Sequence, residues 1–413
     1  MTNEIKNVPE LRFPEFEDEW KQKRLGEVAE IIGGGTPSTS NPQYWGGDIN
    51  WYSPIEIGEN IYLNESKNKI TKMGLKKSSA KILPIGSVLF TSRAGIGNTA
   101  ILKKEAATNQ GFKSIVPKDN KIDTYFIFSR TNELKKYGEI NGAGSTFVEV
   151  SGKEMEKMPM LFPEISEQQK IGNFFSKLDR QIELEEQKLE KLEEQKKGYM
   201  QQIFSQELRF KDEDGNIYPD WKEYVLGETG NTYSGLSSKT KEDFGYGNSY
   251  FITYMNVFKN TIAKANMIEK VNIQENEKQN KVNYKDILFT TSSEVPEETG
   301  MSSIWLYKES NVYLNSFCFG FRVTCDDIEP IYLTRFLRSE KMRKQITILS
   351  QGSTRFNISK KEAMKLKIDV PNLEEQTKIV NFLSKYDSLI ESQSNKIDLL
   401  KERKKGFLQK MFV

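Results

Sequence analysis

The sequence contains no histidine, and that absence excludes more chemistry than any other feature of the chain. Ser–His–Asp hydrolysis, Cys–His proteolysis, histidine-based metal nucleases and zinc hydrolases all need an imidazole. Carboxylate-only chemistry survives. The two cysteines, Cys318 and Cys325, are too few for a disulfide framework or a cysteine-type zinc site. No run approaches the roughly 18 apolar residues that a membrane span requires. The stretch from Met1 to Glu19 is polar and acidic, without the apolar centre of a signal peptide. These absences point to a cytoplasmic protein. Net charge is nearly absent too: 60 basic residues face 58 acidic ones, for +2 overall. Any basic surface must therefore come from segregation of charge along the chain.

The 413 residues are enough for two or three domains, each with its own core. A hydrophobic content of 37% and a mean hydropathy of −0.62 fit a protein with much polar surface. The chain is written twice, and such repeats decide a fold. Glu10-Leu11-Arg12-Phe13 recurs as Glu207-Leu208-Arg209-Phe210, and Trp20-Lys21 with Leu25-Gly26-Glu27 recurs as Trp221-Lys222 with Leu226-Gly227-Glu228. Gly144-Ser145-Thr146 recurs as Gly352-Ser353-Thr354, and Pro163, Gln168 and Lys170-Ile171 recur as Pro371, Gln376 and Lys378-Ile379. Between these landmarks the halves diverge. A fixed frame with a variable middle is how one scaffold would carry two readers of different targets.

From Glu164 to Phe204 there is no proline, and apolar residues follow a seven-residue repeat. Ile171, Leu178, Glu185, Leu192 and Tyr199 take position a of a coiled coil; Phe175, Ile182, Leu189, Lys196 and Ile203 take position d. The second half repeats the pattern as Ile379, Tyr386, Gln393, Leu400, Phe407 and Leu383, Ile390, Ile397, Lys404, Met411. Polar residues interrupt both seams at the same registers. An antiparallel pairing that sets Glu185 opposite Lys404 and Gln393 opposite Lys196 would match both interruptions and fix the alignment. Alternatively the lysines simply reach out to water. The overlap from Leu178 to Ile203 would span about 38 Å at 1.5 Å per residue, close to the roughly 34–36 Å turn of B-DNA.

The middles mix short strands with turns and a helical tail. Val88 to Thr91, Thr99 to Leu102 and Ser114 to Val116 read as strands, and Thr124 to Tyr137 as a helix. In the second half Asp286 to Thr290 and Ser303 to Leu306 read as strands, and Pro330 to Leu349 as a helix. The fold class is thus α+β, with two domains of roughly 140–160 residues joined by two long helices.

Two loops in each half are candidate DNA contacts. Gly34 and Gly35 can bring backbone N–H groups to phosphates, with Thr36, Ser38 and Tyr44 beside them; the same stretch also fits a turn-rich loop packed by tryptophans. Ser92, Arg93 and Asn98 follow a strand directly. An arginine there can grip guanine O6 and N7 together, or serve a structural ion pair. The second-half candidates are Ser234, Ser237, Ser238 and Lys239, with Thr291, Ser292 and Ser293 in place of the arginine loop. If these loops read bases, the halves read different ones.

The duplicated frame, the paired helices, Gly33 to Asp48 (GGGTPSTSNPQYWGGD), Thr91 to Asn98 (TSRAGIGN), Asn109-Gln110-Gly111-Phe112, and the helix openings Glu167-Gln168-Gln169-Lys170-Ile171 and Glu375-Gln376-Thr377-Lys378-Ile379 together resemble a type I restriction–modification specificity subunit. The resemblance covers essentially the whole chain. It implies target-recognition domains at residues 1–162 and 207–370, with spacer helices at 163–206 and 371–413 in an antiparallel coiled coil, the halves related by a pseudo-twofold repeat. It implies a split DNA target with an unread spacer, and two methyltransferase subunits on the helical frame forming an adenine-N6 methylase. S-adenosylmethionine, ATP and Mg would sit on partner subunits, with none bound by this chain, and motor–nuclease subunits would join for cleavage. Pro9 to Phe16, repeating the segment after the first long helix, is expected to pack near the end of the second.

Two rival readings are weaker. Asn41-Pro42-Gln43-Tyr44 nearly matches the Asn-Pro-Pro-aromatic motif of adenine methyltransferases, but glutamine replaces the second proline and no cofactor-binding glycine fingerprint accompanies it. A coiled-coil adaptor explains the helices and leaves the paired α+β domains unexplained. The specificity subunit of a related bifunctional restriction system shares the same DNA-reading logic and stays open.

Overall fold

The computed structural model describes residues 7–93, 95–143 and 148–413; Ala94 and the first-half copy Gly144-Ser145-Thr146 lie outside the described residues. The chain forms two compact units, Met1–Gln187 with Asn395–Val413, and Lys188–Ser394. The unit boundary falls inside both long helices, Ile165–Phe204 and Leu373–Lys410, so each unit holds a stretch of each helix.

In the first unit a five-stranded sheet runs in the order Ala29–Gly33, Lys113–Pro117, Val88–Phe90, Thr99–Leu102, Tyr62–Leu63. A three-stranded sheet places Trp45–Tyr52 between Asn68–Ile70 and Ala106–Thr108. The second unit repeats the plan with four strands, Gly230–Ser234, Cys318–Val323, Ile287–Thr290 and Ser302–Ile304, beside Ile268–Val271, Phe244–Ile252 and Val312–Leu314. Each head closes at a two-stranded neck, Lys21 paired with Phe162 in one and Lys222 with Val370 in the other. The strand expectations hold to within a residue or two. Each expected helix is instead two helices: Thr124–Ser129 and Thr131–Asn141, then Pro330–Leu337 and Glu340–Leu349. In the second unit Ser339 breaks the run in extended backbone and caps the next helix, accepting from Met342 N–H.

Where head meets helix, the repeat is chemical as well as geometric. The fully buried Glu167 carboxylate accepts from Arg12 Nε and Nη2, both at 2.8 Å, and from Trp20 Nε1 at 3.4 Å. Glu375 accepts from Arg209 at 2.8 and 2.9 Å and from Trp221 Nε1 at 3.1 Å. The adjacent glutamines repeat as well: Gln168 Nε2 donates to Pro163 O at 3.0 Å, and Gln376 Nε2 donates to Pro371 O at 2.8 Å. The Arg and Trp of the repeated frame are thus explained by one buried anion, which they neutralise and hydrogen-bond. The N-terminal segment packs where expected, with Leu11 N–H donating to Lys410 O at 2.8 Å and the Trp20 ring 6.2 Å from Phe412.

The helix register differs from the sequence expectation by roughly one heptad. In the first unit Lys396, not Lys404, donates to Glu185, and Lys404 Nζ lies 2.6 Å from Asp179 Oδ1. In the second, Lys196 Nζ lies 2.5 Å from Asp387 Oδ1 rather than pairing with Gln393. Asp179 also accepts from Tyr125 OH at 2.7 Å, and Asp387 from Arg335 at 2.6 Å. Each seam lysine therefore reaches an aspartate that a head residue already holds, one step outside the seam. That slip leaves Leu178, Ile182 and Leu400 to pack together in the seam itself. A carboxylate shared between a lysine and a second donor is better satisfied than one matched alone to a lysine in an apolar layer.

Candidate DNA-recognition surface

The glycine-rich loop is shaped by packing. Gly35 N–H donates to Thr108 O at 2.8 Å, and its carbonyl accepts from Trp51 Nε1 at 2.9 Å. A Cβ at Gly34 would stand 2.0 Å from Asn109 O, and one at Gly35 would stand 2.2 Å from Ser79 Oγ. Trp45 Nε1 reaches Ser38 O at 3.1 Å, and the Trp45 and Trp51 rings meet edge to face at 5.0 Å. These glycines are required by close backbone approach, and the Gly35 amide is not available to a phosphate. What the loop offers outward is Ser38, exposed and paired with Ser40 Oγ at 2.8 Å, the Thr36 hydroxyl on Gln110, and the half-buried Tyr44.

The loop after Val88–Phe90 presents a different chemistry. Ser92 is buried, its N–H and Oγ both donating to Gly111 O at 2.8 and 3.1 Å. Arg93 is about one-third exposed and sits 4.0 Å from Glu149, which also binds Lys113 Nζ at 2.9 Å. Asn98 is exposed. Glu149 and Lys113 escaped the sequence reading because they arrive from distant strands and loops.

The second half builds the same frame with other side chains. Ser292 pairs with Asn357 as Arg93 does with Glu149, and Phe319 lies in the strand where the first half has Lys113. The charged trio is replaced by a serine, an amide and a ring. Ser292 and Ser293 are buried; Ser292 O accepts from Tyr254 OH at 2.6 Å, and Ser293 Oγ bonds Glu298 at 3.2 Å. Thr291 Oγ1 donates to Phe317 O at 2.9 Å. Lys239 is only 5% exposed, held by Glu277 at 2.6 Å, so it turns inward and offers nothing to a phosphate. Ser234, Ser237 and Ser238 remain exposed. Arg355, missed by the sequence reading, stands 5.7 Å over the exposed Phe317 ring. The hydroxyls of Ser92 and Ser293 turn inward for one reason: a buried polar group must find a partner, and the nearest ones are internal.

Among the described residues no cluster of three His, Cys, Asp or Glu side chains is arranged to hold a metal, and no helix is long and apolar enough to cross a membrane.

The chain matches the type I restriction modification DNA specificity domain over residues 17–194 and again over 218–402. It belongs to that family, the type I restriction modification DNA specificity domain family, with one copy of the domain in each half. It is 34% identical to the type I restriction enzyme MjaIX specificity subunit of Methanocaldococcus jannaschii over 54% of each chain. It is 31% identical to the EcoR124I/EcoR124II specificity subunit of Escherichia coli, over 41% of this chain and 43% of that one. The chain thus spans about half the length of these two relatives. A putative MjaX specificity subunit of the same archaeon is 25% identical, over 97% of this chain and 95% of the other. In fold it is similar to the crystal structure of a type I restriction–modification S subunit from M. genitalium (TM-score 0.57, 14% identity, 98% of this chain and 99% of that one). A chain from a structure of type I restriction–modification complex assembly is similar too (TM-score 0.58, 20% identity, 97% and 99% covered).

Proposed function

We propose that the chain is the non-catalytic reader of a type I restriction–modification complex, each head recognising one half of a split target in double-stranded DNA. The heads comprise residues 1–162 and 207–370, and the helices at 163–206 and 371–413 set the unread spacer and dock two methyltransferase subunits. S-adenosylmethionine, ATP and Mg belong to the methyltransferase and motor–nuclease partners. The observation that carries the reading is the repeated frame around unlike loops: the positions of Arg93, Glu149 and Lys113 in one half are held by Ser292, Asn357 and Phe319 in the other. Equal scaffolds with unequal polar chemistry favour two readers of different bases.

Mapping methylated adenines across the host genome with and without this gene tests it. Deletion is expected to erase one bipartite motif with a fixed gap; an unchanged methylation map would sink the proposal.

Within the first head, Arg93 is the proposed base-reading side chain, with Thr36, Ser38, Tyr44 and Asn98 flanking it. Ser234, Ser237, Ser238 and Thr291 are the corresponding group in the second. Glu149 holds Arg93 in place until a guanine edge replaces the carboxylate. Arg93→Ser, which installs the second half's residue, is expected to relax discrimination at one base pair by about 1–3 kcal/mol. Binding competition between duplexes differing at single positions measures this. Equal loss on every duplex would instead assign Arg93 to phosphate.

A further inference from the structure

The near-zero net charge of the chain hides a segregation confined to one head. From Ser66 to Lys104 there is no Asp or Glu, and the stretch carries Lys67, Lys69, Lys72, Lys76, Lys77 and Lys81 within its first part. The matching stretch of the second half is mixed, with Glu269, Glu275, Glu277, Asp286 and Glu294 among its lysines. All six first-half lysines except the half-buried Lys69 are exposed. Among the described residues the ion pair on this face joins Lys104 to Glu65 at 3.2 Å, and none of the six lysines forms one. Lys104 and Lys69 together hold the Glu65 carboxyl below its usual range, which reports the positive field there.

This face is rigidly tied to the recognition loop. Lys69 lies in the strand Asn68–Ile70, Lys72 and Lys76 in the short helix Lys72–Lys76, and Lys67, Lys77 and Lys81 flank these elements. Thr71 N–H donates to Tyr44 O at 3.0 Å, Thr71 Oγ1 donates to Gln43 O at 2.8 Å, and Gly35 packs on Ser79. A ligand gripped by these lysines is therefore held beside Thr36, Ser38 and Tyr44.

We propose that residues 67–81 are the phosphate clamp of this protein, so that the first head supplies most of the sequence-independent affinity for duplex DNA. The proposal rests on the DNA-reading function above and adds the division of labour: one head grips, and both read. Lysines without an ion-pair partner release counterions from DNA at full effect, whereas Lys239, Lys285, Lys344, Lys365 and Lys367 of the second head are each neutralised by a carboxylate.

The test uses the full chain, alone and co-purified with the host methyltransferase subunit, and a fluorescent 40-base-pair duplex of arbitrary sequence. Anisotropy titrations between 50 and 200 mM salt give the slope of log affinity on log salt. Replacing all six lysines by Gln is expected to flatten that slope by about 5, at roughly 0.9 for each phosphate no longer neutralised, and to weaken binding at least tenfold at the low-salt end. The comparison variant replaces Lys285, Lys344, Lys365 and Lys367 of the second half, each already in an ion pair, by Gln, and is expected to flatten the slope by less than 1. Unfolding curves superimposable on the parent's establish that both variants are folded. An unchanged slope in the six-lysine variant, or an equal change in the comparison variant, overturns the clamp and leaves the DNA-reading function standing. No binding of any duplex by the parent chain in either form would overturn both.

Discussion

Exchanging residues 20–162 for the same stretch of a relative with a different target will replace one half of the methylated sequence and leave the other half as it was. The expectation rests on how the first head is attached. Its two ends lie side by side in the neck ribbon, Lys21 opposite Phe162, so both cuts fall at one place. Its core, built around Trp20, Phe90, Phe126 and Phe162, is distinct from the second unit's core around Phe289, Phe321, Tyr332 and Phe336. The exchanged segment meets the frame at a defined set of groups that includes these: Trp20 Nε1 donates to Glu167, Asp123 N–H donates to Gln168 Oε1 at 3.1 Å, Tyr125 OH donates to Asp179, and the Trp20 and Phe126 rings pack on Phe412. A donor segment that keeps counterparts of Trp20, Asp123, Tyr125 and Phe126 will seat without redesign. The readout is the genomic methylation map of a strain carrying the chimera. Loss of both half-sites would mean that the heads are not independent readers; an unaltered motif would mean that reading lies outside 20–162.

Much of this architecture was legible because its signals are local or repeated. The helices followed from the heptads, and the strands from short apolar runs such as Val88-Leu89-Phe90. The register is not legible from the seam alone, where Glu185 and Lys404 are complementary, because each seam lysine pairs with an aspartate beside it. Asp179 and Asp387 stand just outside it, at the same spacing from one another as Lys196 and Lys404, so the repeat itself contained the correct pairs. The site was less legible. Strand alternation says nothing about the residues just past a strand's end, and Ser92 and Ser292 proved to face inward there. Lys239 looked like a phosphate ligand because its partner Glu277 is far away in sequence. The acid-free run after Ser66, by contrast, is fully local in sequence, although the +2 net charge of the whole chain conceals it.

The two buried glutamates at the helix starts set the second large effect. Glu167→Ala removes the carboxylate bonded to Arg12 Nε and Nη2 and the acceptor of Trp20 Nε1, leaving the guanidinium hydrogen-bonded to the Asp18 carbonyl at 2.6 Å. Glu375→Ala does the same to Arg209, which keeps the carbonyls of Tyr218 and Pro219. Stranding one member of a buried pair costs about 3–5 kcal/mol, and the residual carbonyl contacts place each of these near about 3 kcal/mol. That is a large share of the roughly 5–15 kcal/mol that holds a typical domain folded. Because the two glutamates belong to units with separate cores, the losses should add, and the double variant should be largely unfolded at temperatures where the parent is stable. Urea denaturation followed by circular dichroism measures each step. Replacing both partners by apolar residues, as in Arg12→Met with Glu167→Leu, is expected to recover most of the single-variant loss, since the pair's value lies mainly in mutual neutralisation. If Glu167→Ala unfolds at the parent's urea midpoint, the carboxylate is not what fastens the first head to its helix, and the matching glutamate in the second half loses its explanation with it.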